Sequence, residues 1–103
     1  MSNIFIYEIN FRCEDTLKAM IIKINRELNY FKHEIMRESA RPEQSRFLAV
    51  LGPIKYTSQE YGLAFMYKIF VCDDEVDTAN AKQTFERNPN KIFKMQPGIV
   101  RWF

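Results

Sequence analysis

The sequence predicts one α+β domain of βαββαβ order. Three observations carry that prediction. Ile4 to Phe11 and Gly62 to Cys72 alternate β-forming residues at period two. Each is followed by acids that suit a helix start, Glu14 and Asp15 in the first half and Asp73 or Asp74 in the second. A length of 103 residues, 47 % of them apolar and 15 % aromatic, suits a single core and argues against disorder.

In the first strand Phe5, Tyr7, Ile9 and Phe11 share one face, and Ile4, Ile6, Glu8 and Asn10 the other. The helix that follows carries the stripe Leu17, Met20, Ile21, Ile24 and Leu28, and is expected from Asp15 to Asn29. Phe31 to Arg37 alternates loosely and can begin a second strand. Glu38 to Ser45 is polar, contains Pro42 and reads as a loop. Arg46 to Tyr56 resumes as strand. Its Gly52-Pro53 pair places it at a sheet edge, because proline cannot donate to a ladder.

Thr57 to Glu60 is a turn. In the third strand Leu63, Phe65, Tyr67, Ile69 and Val71 share one face, and Ala64, Met66, Lys68 and Phe70 the other. The second helix is expected from the Asp73/Asp74 cap to about Arg87, although Val76, Ala79 and Phe85 make no clean period. Ile92 to Met95 is expected as the last strand. Pro97-Gly98 then turns the chain toward Ile99 to Phe103.

This order is the ferredoxin-like, split βαβ arrangement: a four-stranded antiparallel sheet with two helices on one face. Strands one and three carry large apolar residues on both faces, yet helices on one side cover only one. The spare face, with Ala64, Met66 and Phe70, is therefore expected to seat a protein partner. Trp102 and Phe103 are the chain's own alternative cover.

The net charge of +2 is too small to name a nucleic-acid binder, but its distribution is uneven. From Lys82 to Phe103, five bases (Lys82, Arg87, Lys91, Lys94, Arg101) face one acid, Glu86, which leaves +4. The acidic run Asp73 to Asp77 lacks the ligand spacing and turn glycine of a calcium loop and reads as a capped helix start. His33 is the only histidine, and no nucleophile grouping, phosphate loop or Cys/His cluster accompanies it. A non-enzymatic domain is expected, without cofactor, metal or small-molecule substrate. Cys13 and Cys72 form no Cys-x-x-Cys pair and suit free thiols in a reducing compartment. No apolar run reaches membrane-spanning length, and no cleavable targeting peptide is expected.

Two RNA-binding families share the expected topology. Tyr61 to Lys68 matches the RNA recognition motif's third strand at Gly62, Ala64 and Phe65. Leu63 stands where that motif stacks a ring, and Lys68 where it ends in one. A leucine offers no π-face, so an RNA recognition motif-like single-strand binder is the lesser alternative.

A broader set of matches runs through the chain: Tyr7-Glu8 in strand one; Arg46-Phe47-Leu48-Ala49 and then Pro53-Ile54-Lys55 in strand two; Gly62 to Tyr67 in strand three; and the corner Phe85, Arg87, Asn88, Asn90, Ile92-Phe93-Lys94. In these the chain resembles the bacterial-type ribosomal small-subunit protein six family, as a divergent member. Val50-Leu51-Gly52 and the Glu38 to Ser45 stretch depart from the family pattern. The resemblance implies a structural constituent of the small ribosomal subunit. It would bind small-subunit rRNA beside ribosomal small-subunit protein eighteen, in a mitochondrial ribosome in preference to a bacterial one.

The RNA contacts expected on this reading are Arg46, Lys55, Arg87, Lys91 and Lys94, with Asn88 and Asn90 as polar contacts. The competing class is a protein-binding module or small inhibitor, which needs the apolar face but not the basic edge.

Overall fold

The computed structural model describes residues 4–38 and 46–103. The elements are β1 (Ile4–Arg12), α1 (Leu17–Glu38), β2 (Phe47–Ser58), β3 (Gly62–Cys72), α2 (Glu75–Arg87), α3 (Pro89–Phe93) and β4 (Ile99–Trp102). The loop expected up to Ser45 lies, beyond Glu38, outside the described residues. Period-two alternation produces β1 and β3 where expected. They pair antiparallel in the middle of a sheet of order β2-β3-β1-β4. β2 is an edge strand, as the proline requires. Its register on β3 slips between Leu51 and Ile54, and the slip accommodates Gly52-Pro53.

α1 is longer than expected. Thr16 opens it, its hydroxyl accepting the N–H of Ala19 at 3.2 Å and its carbonyl the N–H of Met20. Phe31 to Arg37 is helix and not the start of a strand. Phe31 and Ile35 continue the stripe of Leu17, Met20, Ile24 and Leu28 at the same three- and four-residue spacing. The stripe packs on Tyr7, Ile9, Phe11, Phe65, Tyr67, Ile69 and Val71, one face of the sheet. Burying each of Ile9, Ile24, Ile35 and Ile69 contributes about 2 kcal/mol relative to exposure.

α2 starts as expected. The Asp74 carboxylate accepts from the N–H groups of Val76 and Asp77, so this part of the acidic run is a helix cap. Its inward stripe is Thr78, Ala81 and Phe85, while Val76 is exposed. That stripe packs on Ala49, Leu51, Phe70, Cys72 and Ile6, the face opposite α1.

The ferredoxin-like expectation of two helices on one face is therefore corrected: α1 and α2 cover opposite faces. The reason is the one that suggested a spare face. β1 and β3 are apolar on both sides: α1 buries one face, and α2 buries the part of the other that carries Ala49, Leu51, Phe70 and Cys72. Ala64, Met66 and Phe70 are 0 %, 2 % and 6 % exposed, Phe70 under α2 and the other two beyond it, so they offer no ready surface to a protein partner.

Two further corrections concern the end of the chain. Ile92 to Met95 is not a strand. Asn88-Pro89 starts the short helix α3, with proline at a position where a missing N–H costs nothing. Ile92 and Met95, three residues apart, turn inward together. The last strand is instead β4, and it runs parallel to β1, so the sheet is mixed rather than antiparallel. Gly98 donates to the Ile6 carbonyl at 2.8 Å and Phe103 to the Asn10 carbonyl at 2.9 Å, which fixes that direction. It sets Phe103 against Phe11, with ring centroids 5.7 Å apart, and Trp102 beside Asn10 on the α2 face. Arg101, on the α1 face, reaches Glu34 at 2.6 Å and lies 4.7 Å over the Phe31 ring, tying β4 to α1.

Candidate nucleic-acid interface

The basic corner is built by two successive helix ends. The N–H of Asn88 donates to the Thr84 carbonyl at 2.8 Å and closes α2; its own carbonyl accepts from Lys91 at 3.1 Å and opens α3. Lys94 then donates its backbone N–H to Asn90 at 3.1 Å. Buried Ile92 anchors the corner, and Arg87, Asn88, Asn90, Lys91 and Lys94 are all exposed along it. Five of the seven expected contacts thus lie exposed along this one corner.

The other two lie elsewhere. Lys55 pairs with Phe65 on the α1 face, in a cleft shared with Pro53, Asp15 and Thr16. Arg46, half-buried, lies 5.8 Å over the Phe5 ring ahead of β2. Arg101 is engaged by Glu34, so the basic segment does not act as one patch.

Beside the corner, α3 is fastened to the sheet by a buried lysine. Lys68, 2 % exposed, donates to the carbonyls of Phe93 (3.1 Å) and Met95, the last turn of α3 and the residues after it. A cation there complements the helix dipole. Its Nζ is also 3.6 Å from a Glu8 oxygen. The other Glu8 oxygen accepts from the Asn10 amide at 2.9 Å, and Asn10 Oδ1 accepts from the Tyr56 hydroxyl at 2.6 Å. This amide orientation satisfies every neighbour, because Glu8 and the Arg101 carbonyl can only accept.

Burial lowers the Lys68 pKa, with Glu8 opposing that shift. Burial, and secondarily the charge of Glu8, push the Tyr56 phenol up to about 12. The folded state therefore favours the neutral phenol. The stabilisation this gives is complete below pH 10, the ordinary value of a phenol, and is lost as pH rises through the folded value of about 12. Stability measured by urea unfolding should fall over that window, and more shallowly in Tyr56→Phe. Equal slopes in the two proteins would remove Tyr56 from the network.

The half of this sheet face not covered by α2 carries a row of rings. Tyr61 and Trp102 have centroids 4.8 Å apart, Trp102 and Tyr56 6.5 Å, and Tyr56 and Phe93 5.4 Å, with interplanar angles of 50°, 56° and 66°. Arg12 lies 5.0 Å over Tyr61 at one end, and Lys94 follows Phe93 at the other. Between α3 and β4 a cleft of about 500 Å³ opens onto Lys94, Gln96, Pro97 and Val100.

Comparison with family models, curated proteins and solved structures finds no match for this chain.

Sequence reasoning missed Arg12, Tyr56, Tyr61, Phe93 and Trp102 as a group. Tyr56 and Trp102 fall on one face only through the β2 bulge and the parallel register of β4. Lys68 did carry a signal, as a charge inside the most apolar strand. Among the described residues no group of three His, Cys, Asp or Glu could hold a metal ion, and no helix is long and apolar enough to cross a membrane.

Proposed function

We propose that this chain is a non-catalytic RNA-docking protein whose Arg87 to Lys94 corner neutralises phosphates. The observation that carries this reading is the corner itself: three cations and two amides held exposed over eight residues by helix ends that Ile92 and Lys68 anchor. The backbone that carries these cations is ordered before contact, so only side-chain freedom is lost when they meet a polyphosphate. Such contacts position a molecule without reading sequence.

The resemblance to ribosomal small-subunit protein six suggests the host. That host is a small ribosomal subunit, mitochondrial ahead of bacterial, with its rRNA as ligand and ribosomal small-subunit protein eighteen as neighbour. The mixed sheet and the placement of α2 depart from the fold that resemblance implies, so the proposal rests on the corner and not on topology. A neighbouring protein would have to use a surface other than the buried Ala64, Met66 and Phe70.

The test is co-sedimentation of the tagged protein with small subunits in a sucrose gradient at moderate salt. The wild type should travel with the subunit. The triple variant Arg87→Glu, Lys91→Glu, Lys94→Glu should stay at the top while keeping its circular dichroism, because all three side chains are exposed. With purified RNA, the salt dependence of log affinity should lose roughly three counterions of slope. Unchanged sedimentation of the triple variant would end this reading.

A further inference from the structure

We infer that the ring row Tyr61, Trp102, Tyr56 and Phe93 is a platform on which the bases of single-stranded RNA stack, next to the phosphate-binding corner. The inference rests on the RNA-docking reading and adds the class of RNA.

Four observations carry it. First, the rings are contiguous, with each neighbouring pair of centroids 4.8–6.5 Å apart. Their tilts of 50–66° keep them from stacking face to face on one another. Second, the row lies on the part of the sheet face that α2 leaves uncovered. The rows Ile54–Met66–Asn10–Trp102 and Tyr56–Ala64–Arg12 form its floor. Third, the central ring is held in place: the Tyr56 hydroxyl is fixed by Asn10, whose amide is fixed by Glu8. Fourth, a cation stands at each end, Arg12 over Tyr61 and Lys94 beside Phe93, and Lys94 leads into Lys91 and Arg87. Glu8, the acid beneath the row, is paired with Lys68 and does not repel a polyanion.

Rings flanked by cations fit a strand that offers π-faces and phosphates together. Duplex RNA hides its bases in its own stack, whereas roughly two to three splayed bases fit a sheet-borne ring row of this kind. An apolar protein partner would use the rings but leave the two terminal cations unanswered.

Trp102 is the only tryptophan and stands inside the row, so its emission reports on the site. Fluorescein-labelled oligouridine is titrated into the full chain at low salt, with tryptophan emission and label anisotropy read together. Saturable quenching of Trp102 is expected, with the same midpoint as the anisotropy change. Tyr61→Ala, at a residue 41 % exposed, should weaken binding about tenfold while the protein stays folded at the titration temperature, as its circular dichroism checks. A duplex of the same length should not quench.

If RNA binds and is released by the Arg87/Lys91/Lys94 reversal, yet Trp102 emission is unmoved and Tyr61→Ala is neutral, the platform is wrong and the corner stands. Quenching by the duplex equal to that of the single strand also overturns the platform. Absence of any anisotropy change removes both readings.

Discussion

Lys68→Met should lower the free energy of unfolding by about 3 kcal/mol, the low end for removing one partner of a buried ion pair. Two losses combine. Glu8 keeps its charge with only Asn10 left to answer it, and the carbonyls of Phe93 and Met95 lose their donor. The low end applies because the Glu8 side chain is 17 % exposed and water relieves part of the cost. The double variant Glu8→Gln/Lys68→Met should recover part of the loss, since no uncompensated charge remains.

A second readout follows from the direction of the Lys68 shift. Its folded pKa lies below the ordinary lysine value of 10.5, so the unfolded chain binds more protons just below that pH. Stability then gains a rising contribution as pH climbs toward 10.5, and Lys68→Met abolishes it. Urea unfolding across pH measures both effects. A loss under about 1 kcal/mol would mean that α3 is not held by this contact.

Gly52→Ala should cost 3 kcal/mol or more, roughly, and separate β2 from β3 at the bulge. Gly52 has φ +144°, a region that L-residues rarely adopt. A Cβ there would stand 2.8 Å from the Met66 carbonyl oxygen and 3.1 Å from the Tyr67 Cα, both backbone atoms that cannot swing aside. Gly62→Ala is the control. It also has positive φ, +74°, but its added Cβ meets nothing within 4 Å. It should cost only the left-handed penalty of about 1–2 kcal/mol. Equal midpoints for the two variants would show that the β3 backbone yields and that close approach at the bulge is not a constraint.

How legible the molecule was depends on the range of the contact that decides each part. Asp74 caps α2 through side-chain bonds two and three residues along the chain, and the sequence alone narrowed the cap to Asp73 or Asp74. The alternation of β3 and the edge position forced by Pro53 were legible for the same reason. The corner from Arg87 to Lys94 was legible as a group because its members are sequence neighbours. Its shape was misread, since Asn88-Pro89 starts a helix where a strand was expected. Continuing the α1 stripe through Phe31 and Ile35 needed only the helical period, yet a short run of alternation obscured it.

The ring row, the Lys68 network and the burial of Ala64, Met66 and Phe70 were decided by pairings between residues far apart in the chain. Tyr56 meets Asn10 across 46 positions, and Asn10 meets Arg101 across 91. The amino-acid order therefore determined β1, β3, the edge strand β2 and the start of α2, and that a sheet apolar on both sides must be covered twice. Only the folded arrangement decided what does the covering. Two helices divide between the faces because burying both sides within one chain removes more apolar surface from water than leaving one for a partner.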